Sequence, residues 1–144
     1  MKAAMRSPRL DHVAPFTRRL GLDISRVEEG YCLGVMDVVD ELKNIHETLG
    51  REAAKILHGG VVSTLADTCM AFALVSSLDE NELPRTLEIK VNYFGAVTSG
   101  VLACESKIVH KGRTFAALES EITNDGRLVA KASATYGIVR AKDS

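Results

Sequence analysis

Along most of this chain apolar residues recur at every second position, but one long stretch is apolar almost all round. From Thr86 to Tyr93 the alternation is strict: Leu87, Ile89, Val91 and Tyr93 share one face, and Thr86, Glu88, Lys90 and Asn92 the other. That period of two predicts a strand. Leu128 to Val139 repeats it, with Leu128, Ala130, Ala132, Ala134, Tyr136 and Ile138 on one face. Gly100–His110 and Thr114–Thr123 read as two more strands, turned at Lys111-Gly112 and followed by the hairpin residues Asn124-Asp125-Gly126. Asp23 to Val39 reads as a single strand-like stretch, with Tyr31, Leu33 and Val35 on one face and Cys32, Gly34 and Met36 on the other. Both faces are apolar enough to predict cover on both sides.

The long apolar stretch, His58 to Leu78, predicts a helix opening at Gly59-Gly60 and spanning about 30 Å at the helical rise. Apolar residues surround most of its circumference, as expected of a helix buried on nearly all sides. Asp79, Glu80, Asn81 and Pro84 then break the pattern. His12 to Leu20 predicts a short helix stopped by Gly21. Asp40 to Leu57 is charged and irregular, a loop with a helical turn around Glu52 to Ile56; connections of this length tend to be functional or mobile. The expected order is a strand, the long helix, then four consecutive strands in an antiparallel meander. The expected class is α+β, one buried helix wrapped by a curved antiparallel sheet. Residues 1–22 form an N-terminal arm with the short helix, and residues 23–144 the domain.

Composition narrows the partners. The 144 residues fit one domain with a real core. Eighteen Lys and Arg against 19 Asp and Glu leave a net charge of −1, which argues against nucleic acid and membrane surfaces as partners. Aromatics make up only 5%, with no Trp, which weakens any base-stacking platform. Cys32, Cys69 and Cys104 are odd in number and lack a CxxC pair, so a reducing, cytoplasmic setting is expected; the four histidines do not sit at ligand spacing from them, so a zinc site is not. The N-terminus has Lys2, Arg6 and Arg9 but no apolar core of a secretory signal. Val61 to Leu78 is long enough to raise the membrane question, yet six of its 18 positions are polar, as in a buried core helix.

Asp67 is the only acid or base between His58 and Leu78. A carboxylate in an apolar helix has to be paired, hydrogen-bonded or set at a wet cleft; a loop cap, a buried ion pair and an exposed stripe are its ordinary explanations. Gly60, Thr64, Asp67 and Ala71 fall on one side of the helix, a narrow stripe of small or polar residues. The bare N–H groups of Gly59-Gly60 and the positive helix end suit a developing oxyanion, although close packing also explains paired glycines. Asp67 lies about 10 to 12 Å along the axis from them. One carbonyl needs both groups within about 3 Å, which two antiparallel helices across a twofold axis supply and one straight helix does not. The pattern therefore predicts a homodimer with two sites at its interface.

The segments HGGVVSTLADT (His58 to Thr68), TLEIKVNYFGAVTSG and HKGRTFAALESEITNDGRLVAKASATYGIV resemble the hotdog-fold acyl-CoA thioesterases of the phenylacetate-pathway PaaI type, over residues 23 to 140. The resemblance implies a hotdog fold, hydrolysis of acyl-CoA thioesters without metal or cofactor, and dimers that pair into tetramers. It implies Asp67 as nucleophile or general base, Gly59 as the oxyanion donor with Gly60 beside it, and His58 as the residue that orients the glycine loop or hydrogen-bonds the thioester region. Thr86 matches a Ser/Thr position that helps place water. Asn44 matches an asparagine that positions substrate or water, but here it sits 14 residues before His58, with the insertion HETLGREAAKI between them. That insertion is expected to act as a lid over the acyl pocket. Thr64 lies on the stripe open to substrate, and Lys111, Gly112 and Arg113 suit the CoA phosphates. Val61, Leu65, Met70, Phe72, Tyr93 and Phe94 are candidates for the acyl pocket. The competing readings are a non-catalytic hotdog module that binds acyl-CoA or a related ligand, and a hotdog dehydratase or hydratase, whose His-and-acid motif fits HGG…Asp poorly.

Overall fold

The computed structural model describes residues 13–44 and 55–142. The chain runs through helix α1 (Pro15–Arg19), strands β1 (Asp23–Glu28) and β2 (Tyr31–Asp37), and a 3-10 turn at Asp40–Leu42. Helix α2 (Gly59–Val75) follows, then strands β3 (Glu82–Tyr93), β4 (Val101–Lys111), β5 (Phe115–Asn124) and β6 (Arg127–Arg140). The six strands make one antiparallel sheet in the order β1-β2-β4-β5-β6-β3, and α2 packs on its inner face. This is the expected α+β architecture of one long helix wrapped by an antiparallel sheet.

Several details differ from the sequence reading. The Asp23–Val39 stretch is a hairpin rather than one strand: Gly30, at φ 75°, turns the chain between β1 and β2. The last four strands are not a consecutive meander, because β3 crosses the sheet to pair with β6 and only β4, β5 and β6 follow in order. Strand β3 also begins at Glu82 and runs through Pro84. It lies at the sheet edge, where proline's missing N–H is tolerated. The Asp125-Gly126 turn is as expected, with φ of 48° and 84°, the left-handed pair of a two-residue hairpin loop. Just after it a register shift between Ile122 and Thr123 turns Leu128 outward and puts Val129 in the core. From Ala130 to Ile138 the predicted inner face is buried.

Helix α2 is covered on one side rather than all round. Val61, Val62, Leu65, Ala66, Cys69, Met70, Ala73 and Leu74 face the sheet and are buried, whereas Thr64, Asp67, Ala71 and Phe72 are half-buried. The C-terminal end of the helix is tied to two hairpin turns. The Gly30 N–H donates to Ser76 Oγ at 2.8 Å, and Lys111 Nζ donates to the Ser77 carbonyl at 2.5 Å, placing a cation at the negative end of the dipole. The predicted start of α1 at His12 and most of the turn at Glu52 to Ile56 lie outside the described residues; Lys55 and Ile56 are not helical.

The three cysteines meet in the core as buried, free thiols. Hydrogen bonding to Cys104 and Cys32, reinforced by burial, holds the Cys69 thiol well above its ordinary range. Cys69 lies where the sheet leaves room for it, over Gly34 of β2: a Cβ at position 34 would stand 2.4 Å from Cys69 Sγ. Gly34→Ala is expected to cost about 1–3 kcal/mol by overpacking, read as a lower denaturant midpoint at unchanged slope. Adding Cys69→Ala should return part of that loss, and a double variant no better than the sum of the two singles would rule out this contact as the cause.

Candidate active site

Asp67 stands on the half-covered side of α2, and two hydroxyls reach it from the sheet. Thr86 Oγ1 donates to Asp67 Oδ1 at 2.7 Å, and the Tyr136 phenol donates to the same oxygen at 2.5 Å. The phenol also lies 2.8 Å from the Asp67 backbone carbonyl. Thr86 and Tyr136 are register partners across β3 and β6, so the two donors form one cross-strand unit. Burial, and then its bond to Asp67, push the Tyr136 phenol far above its ordinary range. It therefore stays a donor at any working pH.

Thr86 reaches Asp67 because of a fault in the strand. Strict alternation places Thr86 opposite Ile89, Val91 and Tyr93. A register shift between Thr86 and Glu88 makes Leu87 an extra residue, a β-bulge that re-aims its neighbour. Thr86 thus joins the inner face, and Leu87 lies outside, 57% exposed, over Gly137. Tyr136 is the site residue that sequence reasoning missed, having placed it only on an apolar face. Its signal was a buried phenol that needs an acceptor on the face opposite a lone carboxylate that needs a donor.

The N-terminal end of α2 is built differently. His58 is the N-cap, and its Nδ1 accepts the Gly60 N–H at 2.8 Å, which leaves its ring proton on Nε2. Among the described residues, the Gly59 N–H has no acceptor. Of the two glycines, then, Gly59 alone presents a free donor. Tyr93 covers it from β3, its hydroxyl donating to the Gly59 carbonyl at 2.7 Å, with ring atoms so near that a Cβ at 59 would stand 3.3 Å from them. Thr64 Oγ1 bonds back to the Gly60 carbonyl at 2.8 Å, so its hydroxyl is spent within the helix.

Asn44 is held near this end despite its distance in sequence. The Asn44 N–H donates to the Ile56 carbonyl at 2.7 Å, Lys43 and Leu57 form a bridge, and the His58 N–H donates to the Leu42 carbonyl at 2.9 Å. The long connection is thus clasped at its base, and the insertion leaves Asn44 beside the residues that lead into His58. Lys111, Gly112 and Arg113 sit at the opposite end of α2, with Lys111 engaged by Ser77 and the Gly112 N–H by the Phe115 carbonyl at 2.8 Å. Of the acyl-pocket candidates, Val61, Leu65 and Met70 are buried in the core and do not line the cleft beside Gly59. Tyr93 and Phe94 do line that cleft, an open space of about 430 Å³ that Ile56, Val62 and Val97 complete.

Residues 54–131 match the thioesterase superfamily. The chain belongs to that family. The match runs from the clasp ahead of His58 to the first half of β6, so it takes in Gly59, Asp67 and Thr86, and it makes this thioesterase a thioester hydrolase with the hotdog arrangement of helix and sheet. The chain is 26% identical to a 1,4-dihydroxy-2-naphthoyl-CoA hydrolase of Listeria monocytogenes over 106 residues, 74% of this chain and 80% of that one. It is 27% identical to a medium/long-chain acyl-CoA thioesterase of Escherichia coli K12, across 85% of this chain and 84% of that one. A conserved protein of Pseudomonas aeruginosa superposes with a TM-score of 0.80 at 28% identity, covering 92% of this thioesterase and all of its counterpart. No helix among the described residues is long and apolar enough to cross a membrane.

Loss of the His58 cap exposes the Gly60 N–H. His58→Ala is expected to cost about 1 kcal/mol of stability, the usual worth of a cap, with faster amide exchange confined to the first turn of α2. His58→Asn, which restores a capping oxygen, should recover most of it. Equal stabilities for all three proteins in thermal melts would mean that the cap carries no weight.

Proposed function

We propose that this thioesterase hydrolyses acyl-CoA thioesters at two sites across a homodimer interface, each pairing Asp67 of one copy with Gly59 of the other. One observation carries the reading: an oriented carboxylate and a Gly59 N–H with no acceptor among the described residues lie on the same helix, eight residues or about 12 Å apart. That separation is too great for either to serve the other's carbonyl within one chain. The side of α2 that bears Asp67 is left half-covered, and the neighbouring strand β3 is a sheet edge with Leu87 and Tyr93 exposed. A second copy with its helix antiparallel covers that side and brings the two groups together, and dimers of this kind pair further into tetramers.

In this arrangement Gly59 and the positive end of α2 stabilise the oxyanion of the tetrahedral intermediate. Asp67 either attacks the thioester carbon or takes a proton from the attacking water, and the CoA thiolate leaves; in the first case a water then hydrolyses the mixed anhydride. His58 orients the glycine turn by holding Gly60, and Asn44 positions the water or the substrate from the clasp beside it. The acyl group enters the apolar cleft beside Gly59. The CoA phosphates meet the turn at Lys111, Gly112 and Arg113. Relatives named for medium/long-chain acyl-CoA and for 1,4-dihydroxy-2-naphthoyl-CoA make aliphatic and aromatic acyl groups both substrates to be assayed, and the protein is expected to work in the cytoplasm.

Asp67→Asn and Asp67→Ala should each lower kcat against a panel of aliphatic and aromatic acyl-CoAs by about 10²–10⁴-fold, with melting curve and oligomeric state unchanged. Turnover retained in both variants would remove Asp67 from the mechanism, and an inactive wild-type protein that still binds acyl-CoA would favour the non-catalytic module. Sedimentation at micromolar concentration tests the interface separately: a monomer that is fully active leaves no place for a two-copy site.

A further inference from the structure

The geometry points to Tyr136 as a positioning residue that holds Asp67 by Oδ1 and selects Oδ2 as the reacting oxygen. The inference rests on the proposed role of Asp67 and deepens it. Both hydroxyl donors, Thr86 and Tyr136, converge on Oδ1, and among the described residues nothing donates to Oδ2. The oxygen loaded with two donors is the less basic and less nucleophilic of the pair. The unloaded one, on the half-covered side of the helix, is left for water or the thioester.

The second contact of the phenol explains why a tyrosine suits this place. Tyr136 has one hydrogen and two acceptors, Asp67 Oδ1 at 2.5 Å and the Asp67 carbonyl at 2.8 Å. While Asp67 is ionised, the hydrogen goes to the charged oxygen. As the reaction proceeds, Oδ2 either takes the proton of the water whose oxygen bonds to the acyl carbon, or itself forms the bond to that carbon. In both cases the carbonyl electron pair moves onto oxygen, its return breaks the C–S bond and expels the CoA thiolate, and in the second case water then cleaves the mixed anhydride. Either event at Oδ2 withdraws charge from Oδ1. The hydrogen then has the backbone carbonyl within reach, so a phenol only 1% exposed is never left without an acceptor. Thr86, on the exposed edge strand, carries no such requirement.

Tyr136→Phe removes one oxygen and keeps the packing. It is expected to lower kcat on the order of 10- to 100-fold, the scale of a hydrogen bond to a charged group, with KM changed less than about twofold because the substrate contacts remain. In an Asp67→Asn background the same change should cost nothing further, since Tyr136 acts only through the carboxylate. A kcat at the wild-type level, a loss seen in KM alone, or an additional multiplicative loss in the Asp67→Asn background would each overturn the inference. Should Tyr136→Phe fail to fold, 3,5-difluorotyrosine at position 136 keeps the packing and changes the strength of the donor. A shifted kcat at constant KM then supports the inference, and an unshifted kcat overturns it. Full activity in Asp67→Asn itself would mean that the proposed role of Asp67 fails. An inactive Asp67→Asn beside a fully active Tyr136→Phe would mean that only the role of Tyr136 does.

Discussion

One carboxylate has to be kept on a helix whose other residues, from Gly59 to Val75, carry no charge. Desolvating it without partners would cost several kcal/mol, and solvating it fully would waste it as a reactive group. The chain resolves this by leaving Asp67 on the half-covered side of α2 while feeding one of its oxygens two hydroxyls from the sheet. Those hydroxyls come from residues directly opposite one another, Thr86 on β3 and Tyr136 on β6. The site therefore depends less on the helix than on the register between two strands. A slip of one residue in that pairing would turn one donor away from the helix.

That dependence gives the topology a purpose. A simple meander would have set β3 beside β4, with β6 at the far edge, and Thr86 and Tyr136 would not have met. The crossover that returns β3 to β6 brings the partners together and leaves β3 as the edge beside the uncovered side of α2. The bulge at Leu87 completes the arrangement by turning Thr86 inward. Its cost is an exposed leucine, partly offset by contact with Gly137, where the absent side chain leaves space.

The helix, its opening glycines, Asp67 and the strands from Val101 onward were legible in the sequence because each rests on local signals: periodicity, paired glycines, an isolated charge, an Asp-Gly turn. The crossover was not legible, since strand order depends on long-range pairing that alternation does not encode. The bulge was hidden for a sharper reason. Leu87, Ile89, Val91 and Tyr93 keep perfect alternation through the very residue that breaks the register, so the pattern reads as one unbroken face. Glu29-Gly30 was a turn signal passed over because the apolar run continued beyond it. Tyr136 was placed correctly, yet its hydroxyl was treated as incidental. A buried phenol and a lone half-buried acid are each unsatisfied in a face-by-face reading, and only together do they explain one another.

The two ends of α2 show the same economy. The C-terminal end is tied down, by the Gly30 N–H on Ser76 and the Lys111 ammonium on Ser77. The N-terminal end is capped at Gly60 by a histidine ring but left open at Gly59, whose N–H finds no acceptor among the described residues and whose carbonyl takes the Tyr93 hydroxyl. Orphan donors at a helix start are ordinarily taken up by caps, water or ligands, and here the cap stops one residue short of the donor that the proposed chemistry needs. The clasp from Leu42 and Asn44 to Ile56 and His58 holds that turn in place, so the open donor is part of a fixed structure and not a frayed end. Among the described residues of one chain nothing reactive faces it, since Asp67 lies two turns further along the same rod and no bending of a 17-residue helix closes that distance. On the two-copy reading the mismatch disappears, because reversing a second helix lays the bare donor of each against the clamped carboxylate of the other.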